Sequence, residues 1–498
     1  MPIASAGPCD RAVATAAPAA DKSTQHPRGT LAATILGSSL AFVDGSVVNV
    51  GLAAIERDLA SSGASGASIG WLVNAYLLPL GALVLFGGVA GDRFGRKRVF
   101  LAGMALFTAA SLAAALAPTF AWLLAARAAQ GIGAAFLMPA SLALLGAAFS
   151  GEARGRAVGT WAAAGAVTGA IGPLAGGWLI DAVGWRSIFL INLPLAAMSA
   201  WLAWRYVDES RSGDAAPLDI GGALLATAGL GALTYGLTIV AAQSGGATAS
   251  AASGGEFVGA ASIVAGIALL SGFVALEARL GTRAMMPLAL FGTKTFVGVS
   301  LLTFFLYAAL GGMIVLLPYL LIGAGHYSAA AAGAALLPLS IAMGLGSRAA
   351  GRLAERVGAR LLLTIGPFVV AVGFALFLRI DAGTVSYAGV VLPALVVVAC
   401  GLTLSVAPLT AAVMAAVDPA HVGSASGVNS AIARIAGLLA TALLGFVLVA
   451  GASAPTFITR FHAAAMAGAV LALAAGIAAF LLVSRSPGRP APAPTAAP

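Results

Sequence analysis

Gly88-Val-Ala-Gly-Asp92-Arg93-Phe-Gly95-Arg96-Lys97 returns later in the chain as Gly351-Arg-Leu-Ala-Glu355-Arg356-Val-Gly358-Ala-Arg360. Glycine, acid, arginine, glycine and base recur at the same offsets, and each copy follows a long apolar run. An even number of apolar segments separates the copies, so both fall on the same side of whatever those segments cross. That pattern defines two parallel repeats related by an axis along a membrane normal.

Working outward from the repeat, fourteen apolar segments are long enough to span a bilayer. They cover 30–54, 69–91, 99–117, 121–148, 157–180, 188–206, 219–242, 257–278, 295–322, 329–350, 360–379, 387–415, 425–450 and 461–484. Backbone groups in lipid must be satisfied internally, and these runs are too long and too uniformly apolar for barrel strands. An all-α integral membrane bundle is predicted: a six-helix half over 30–206, a two-helix insertion over 207–282 and a second six-helix half over 283–484. The Ala/Pro-rich tails 1–29 and 485–498 are expected to be disordered. The first has no continuous apolar core, so it does not read as a cleaved signal peptide.

Composition agrees with that reading. The 498 residues are 60% hydrophobic and 9% charged, with a mean hydropathy of +1.01. A soluble domain carries roughly 25% charged residues, so an ordinary soluble enzyme and a disordered scaffold are both excluded. The net charge of +9 raises the question of a nucleic-acid partner, but the basic residues are spread thinly among apolar runs and form no stripe. They read as loop charges that set orientation. With the N-terminus inside, the inner face collects Arg93, Arg96, Lys97, Arg98, Arg154, Arg156, Arg205, Arg211, Arg279, Arg283, Lys294, Arg348, Arg352, Arg356, Arg360, Arg485 and Arg489. The outer face keeps Arg57, Arg186, Arg379 and Arg460. A multi-pass protein of the cell membrane with both termini cytoplasmic is expected.

Several common chemistries lack their residues. Cys9 and Cys400 are too far apart in character to suggest a disulfide framework or a Cys-based metal site, and Cys400 reads as a small packing residue. His26, His326, His421 and His462 are isolated, which leaves no His metal site and no Ser/His/Asp triad. No nucleotide-binding Gly-x-x-x-x-Gly-Lys-[Ser/Thr] loop occurs, so a primary ATP pump is excluded. No cofactor or metal is expected.

Ionisable groups deep within spans are expensive, about 2.5–3.5 kcal/mol each on insertion scales, and mark function by default. Three stand out: Asp44 in the first segment, Arg127 in the fourth and Arg434 in the thirteenth. Burial disfavours a charged carboxylate whereas a nearby arginine favours it. Asp44 between these opposing effects is a candidate for proton coupling, with Arg127 biasing it toward proton release. The alternative is a permanent ion pair that only joins helices, or, for Arg127, a side chain snorkelling from its helix end. Arg434, after Asn429 and Ser430, suits an interface role as well as ligand contact.

The fifth segment reads Gly165-Ala-Val-Thr-Gly169-Ala-Ile-Gly172-Pro173-Leu-Ala-Gly176-Gly177. Its glycines offer a smooth face, and Pro173 frees a backbone carbonyl and bends the helix. In the first copy of the repeat, Gly88 and Gly95 permit a tight turn, and Asp92, Arg93 and Arg96 are placed to clasp partners across a gap.

These residues carry a family resemblance. Gly88–Arg98 resembles the signature between the second and third helices of the major facilitator superfamily. Leu40-Ala-Phe-Val-Asp44-Gly-Ser-Val-Val-Asn49-Val is similar to the first-helix motif of its fourteen-helix drug/proton antiporter family. Leu123-Leu-Ala-Ala-Arg127-Ala-Ala-Gln130-Gly131 is similar to the fourth-helix motif, and the Pro173 segment to the antiporter motif of the fifth. Trp185-Arg186 with Phe189, Asn192 and Pro194 also fits. The resemblance covers about 30–484 and implies that Asp44 and Arg127 couple protons to transport. It also implies that Asp92 and Arg93 belong to a cytoplasmic gate with Gly88, Gly95 and Arg96, and that Gly172-Pro173 is a hinge that limits leak. Departures are visible: Gly45, Gly51 and Ala53 replace commoner residues of the first motif. Glu355 and Ala359 make the second-half gate copy, with Arg356, a weaker clasp.

The function expected is proton-coupled export of amphipathic small organic molecules by a monomer in the lipid bilayer. The candidate cavity residues are Asn49, Asn74, Tyr76, Gln130, Met138, Phe304, Phe305, Tyr307, Met313, Tyr319, Asn429 and Arg434. An importer or uniporter on the same fold, or a non-transporting receptor, are the alternatives. The Gly/Pro pattern of the fifth segment disfavours the first of these.

Overall fold

The computed structural model describes residues 26–64, 66–211, 218–244, 252–281, 284, 286–381, 385–417, 422–448 and 454–484. The expectations for the tail residues 1–25 and 485–498, and for Cys9, Arg283, His421, Arg485 and Arg489, lie outside these residues. Among the described residues fourteen helices are long and apolar enough to cross a membrane. They are α1 (Pro27–Leu59), α2 (Trp71–Phe94), α3 (Arg96–Ala115), α4 (Phe120–Ala148), α5 (Gly151–Val183), α6 (Asn192–Tyr206, which crosses together with the short helix Ser187–Leu190) and α7 (Ile220–Ser244). The remainder are α8 (Ala252–Leu280), α9 (Lys294–Gly323), α10 (Leu337–Val357), α11 (Ala359–Leu376), α12 (Leu392–Ala415), α13 (Val422–Ala442) and α14 (Ala454–Leu482). Each predicted segment overlaps one of these helices, and segments 188–206 and 329–350 also take in a short helix before it, Ser187–Leu190 and Ala329–Ala334.

The ends follow local chemistry. α1 begins at Pro27, within the stretch read as tail, because a proline in the first turn is already set at a helical φ. Thr30 then ties that turn to α6 through a bond to the Tyr206 carbonyl at 3.2 Å. The internal repeat is visible in the backbone. α2 ends at Gly95 with φ 109° and α10 at Gly358 with φ 90°, and each glycine N–H closes on the carbonyl four residues back. Only glycine adopts such angles without strain, so both copies turn the chain at the same offset.

Helix contacts rely on small residues, as expected where lipid supplies no hydrophobic drive between helices. α3 and α4 cross so closely that a methyl at Gly103 would stand 2.8 Å from the Gly133 carbonyl, and the reverse holds for Gly133.

The ends of the bundle differ. At the end remote from the Gly88–Arg98 loop, one apolar cluster joins Leu52, Ile55, Leu72 and Leu123 of the first half to Leu306, Leu317, Phe374 and Phe461 of the second. At the end that carries the loop, hereafter the basic end, the cluster around Phe100, Met104 and Phe107 stays within the first half. On α10 toward the basic end Leu345 is 80% exposed. The apolar core is therefore shared by the halves at the far end, whereas the cluster at the basic end belongs to the first half.

α7 and α8 pack on each other outside this arrangement. Leu230 of α7 is buried with Ala82 of α2 and Leu438 of α13, and Trp71 meets Tyr235 with ring centroids 6.1 Å apart. α8 shows Phe257, Val264 and Ile267 on its exposed side, as suits a lipid-facing helix.

Candidate functional site

Asp44 and Arg127 meet in the first half. Asp44 is 0% and Arg127 1% exposed, and Arg127 Nη1 pairs with Asp44 Oδ2. A lone charge at this depth would be destabilising, so further polar groups surround the pair. Arg127 Nη1 also donates to Gln130 Oε1 at 2.9 Å, and its Nε donates to the Leu72 carbonyl at 3.1 Å. Gln130 Nε2 and Asn192 Nδ2 each donate to Asp44 Oδ1 at 3.1 Å. Ser111 Oγ accepts from Gln130 at 2.8 Å and from Asn192 at 3.3 Å, and donates to the Phe107 carbonyl at 2.9 Å. The guanidinium carbon lies 4.4 Å from the Tyr76 ring centroid and 5.9 Å from that of Phe189. Tyr76 is held in turn by a bond from its hydroxyl to the Ala41 carbonyl at 3.2 Å. Five helices (α1, α2, α3, α4 and α6) thus converge on one carboxylate.

The helical spacing accounts for the assembly. Arg127 and Gln130 lie three apart on α4 and so share a face. Ser111, Asn192 and the Leu72 carbonyl were not singled out from sequence: a serine and a backbone carbonyl are generic, and Asn192 appeared only inside the family pattern. Gly131, the next residue along α4, lets that helix close on α2, where a methyl would collide with the Tyr76 carbonyl.

Beside this network lies a cavity of about 140 Å³ between the halves. It is lined by Gly45, Asn49, Tyr76 and Arg127 on one side and by Gly311, Ile314, Gly437 and Thr441 on the other. Asn49 brings a carbonyl oxygen with no partner among the described residues. Asn74 accepts from Thr441 across the far end of the cavity. Toward the basic end, Arg434 of α13 donates to Met138 Sδ of α4 at 3.1 Å, with Tyr76 and Tyr307 as its electrostatic neighbours.

The other predicted cavity residues spread further. Tyr319 reaches across the halves at the far end, donating to Glu56 Oε2 at 2.6 Å. Asn429 accepts from Thr303 at 2.7 Å, a bond inside the second half. Phe304 and Phe305 are half-buried and edge-to-face at 5.6 Å. Met313 does not line the 140 Å³ cavity. It lines a separate cavity of about 510 Å³ among α9, α11, α13 and α14. Helix α9 is apolar on every face, so its sequence does not reveal which way it is turned.

The glycines of α5 divide between two neighbours. Gly165, Gly172 and Gly176 face Phe42, Ser46 and Val47 of α1, while Gly169 faces open space. Gly177 and Pro173 face the short helix Ala329–Ala334 that precedes α10: a methyl at Gly177 would collide with the Ala329 carbonyl, and one at Gly333 with that of Pro173. Asp181 secures the same junction, accepting from the backbone N–H groups of Ala329 at 3.2 Å and Ala330 at 2.9 Å. A carboxylate at a helix N-terminus satisfies donors that have no partner within the helix.

At the basic end Gly88–Arg98 forms the last turns of α2, a turn at Gly95 alone and the start of α3, so Gly88 is helical rather than part of the turn, and the bonds of this segment stay in the first half. Arg96 donates to Asp92 from Nε at 2.9 Å and from Nη2 at 2.7 Å. Glu209, after α6, accepts from the backbone N–H groups of Lys97 at 3.0 Å and Arg98 at 3.2 Å. Gly88 sits 3.7 Å from Pro139 by the same measure of an added methyl, and Arg93 is exposed. Glu355 and Arg356 are exposed on α10. Glu277, 1% exposed near the basic end of α8, is a buried acid that sequence reading passed over because it lies close to a helix end.

Two halves of membrane-crossing helices around a central cavity, with the Asp44–Arg127 pair held in a polar network beside it, define a membrane transporter rather than an enzyme. The family profile of the Major Facilitator Superfamily matches residues 34–441, and the chain belongs to that family. It is 35% identical over 85% of its length to the multidrug resistance protein Stp of Mycobacterium tuberculosis, covering 76% of that protein. It is 35% identical over 82% of its length to the puromycin resistance protein pur8 of Streptomyces alboniger, covering 79%. A solved D-xylose–proton symporter shares its fold at a TM-score of 0.65, covering 92% of this chain and 98% of that one at 15% identity.

Proposed function

We infer that the chain is a proton-coupled antiporter that exports amphipathic small organic molecules from the cell. The observation that carries the reading is the Asp44–Arg127 pair, fully buried and wrapped by Gln130, Asn192 and Ser111 beside the inter-half cavity. The resistance and efflux names of the relatives support a drug-like or antibiotic-like substrate.

The positive-inside asymmetry supports a cytoplasmic basic end. In this reading a substrate enters between the halves from the cytoplasm. With the carboxylate ionised, the pair is neutral and the first half is well packed around it. A proton arriving on Asp44 cancels its charge and leaves the Arg127 guanidinium buried without its counter-ion. Breaking a buried pair in this way costs about 3–5 kcal/mol, which is commensurate with switching the halves between two arrangements. A proton moving inward through 100 mV supplies about 2.3 kcal/mol, so one or two suffice for modest concentrative export. In this cycle the Gly88–Arg98 loop, with Glu355 and Arg356 opposite, closes the cytoplasmic side, and the α5 glycines with Pro173 hold the far side.

The test uses inverted membrane vesicles carrying a pH-reporting dye. Addition of substrates is expected to dissipate the pH gradient, and Asp44→Asn to abolish the response while leaving the protein in the membrane. A substrate-dependent response that survives Asp44→Asn would remove the coupling assignment.

A further inference from the structure

We propose that Arg434 is an anion-recognition residue, so that the transported molecules include amphipaths carrying a carboxylate or a similar oxyanion. The inference rests on the export reading only in taking the cleft between the halves as the substrate's path.

The argument begins with a charge count at the middle of the bundle. Asp44 and Arg127 cancel each other within their own network. Arg434, near the middle of α13, forms no ion pair among the described residues. Arg434 therefore has no counter-ion beside it, since Glu56, the other inter-half charge, lies at the far end and accepts from Tyr319. Such a charge is expensive away from bulk water unless something at the site answers it.

Its hydrogen bonding points the same way. A guanidinium has five N–H donors. Nη2 points across the interface at Met138 Sδ, a thioether and hence a weak acceptor, and buried Nε has no partner among the described residues. The planar fork of Nε and Nη2 suits two oxygens of one carboxylate, phosphate or sulfonate, and lysine offers no such geometry.

The surroundings supply the rest of an amphipath's site. The Cβ of Arg434 lies 3.5 Å from where a methyl on Gly81 of α2 would stand, so the side chain projects along the seam toward the first half. The 140 Å³ cavity begins one turn further along α13, at Gly437. An acid seated on Arg434 would lay its apolar body into that space. A cation would meet the same charge as repulsion.

The full chain in phosphatidylcholine nanodiscs is to be tested by equilibrium dialysis with 1-naphthaleneacetate, its methyl ester and 1-naphthylethylamine. Wild type is expected to bind the acid at least tenfold more tightly than the ester or the amine. Arg434→Gln is expected to reduce that preference below twofold with ester binding unchanged, and Arg434→Lys to keep only part of it. Equal binding of acid and ester by wild type, absence of binding by the acid, or a full preference retained in Arg434→Gln would overturn the proposal. So would complete displacement of the acid by phosphatidylglycerol in the nanodisc, which would make Arg434 a lipid-headgroup site. If no compound dissipates the pH gradient in vesicles while the Arg434-dependent acid preference stands, the export reading falls and the anion site survives.

Discussion

At the scale of single residues, the arrangement around Asp44 predicts a strongly non-additive pair. Arg127→Ala leaves a carboxylate at 0% exposure facing Gln130 and Asn192 without its cation. Loss of one partner of such a pair should lower stability by about 3–5 kcal/mol. Asp44→Asn combined with Arg127→Ala removes both charges and should recover most of that loss. Thermal unfolding of the four proteins in detergent, read as a double-mutant cycle, gives the coupling directly. Additive effects would show that the two side chains do not depend on each other. The pair itself was legible in sequence because charges deep in apolar runs are few and demand a reason. Its neutral partners were not legible. Ser111 looks like any small residue of a membrane helix, and what recruits the Leu72 carbonyl is the path of α2, not a side chain.

At the scale of elements, the junction of α5 with the helix Ala329–Ala334 depends on backbone meeting backbone. Gly177→Val or Gly333→Val places a side chain where a carbonyl already lies, and small shifts cannot absorb it. Each variant should remain in the membrane but part the far ends of the halves. Spin labels at Arg57→Cys and His326→Cys, on a background with Cys9 and Cys400 replaced by serine, are expected to show a longer separation than in the parent. An unchanged distance would mean that the junction does not hold the far end together. The α5 side of this contact was apparent from its glycines and Pro173, though they serve two neighbours instead of one smooth face. Gly333 was not apparent, since it stands in an alanine-rich run whose composition marks no position above another. Which cavity Met313 faces was not apparent for a related reason: an all-apolar helix carries no record of its rotation.

At the scale of the whole molecule, the fourteen-helix count and the paired halves were readable from hydropathy and from the echo of Gly88–Lys97 at Gly351–Arg360. How α7 and α8 sit was not readable, because two uniformly apolar helices dock by shape alone. Their position makes α7 a structural member of both halves. Leu230→Ala, which empties the contact shared by Ala82 and Leu438, should destabilise the protein by about 2 kcal/mol or more, measured by its unfolding midpoint in detergent. A neutral result would make α7 a passenger.

The placement of α7 also makes the bundle lopsided toward the lipid. Two seams run between the halves, one along α2 and α13 and the other along α5 and α10. α7 lies over the first, with Gly231 against Leu78 and Ala241 and Ala242 against Gly445, like a shutter fixed to both door frames. The second is fastened at its far end by Asp181 and the interlocked glycines, while toward the basic end it shows Val167 of α5 and Leu345 of α10 to the surroundings. The first flank is thus covered by a third helix, whereas Val167 and Leu345 on the second stay exposed.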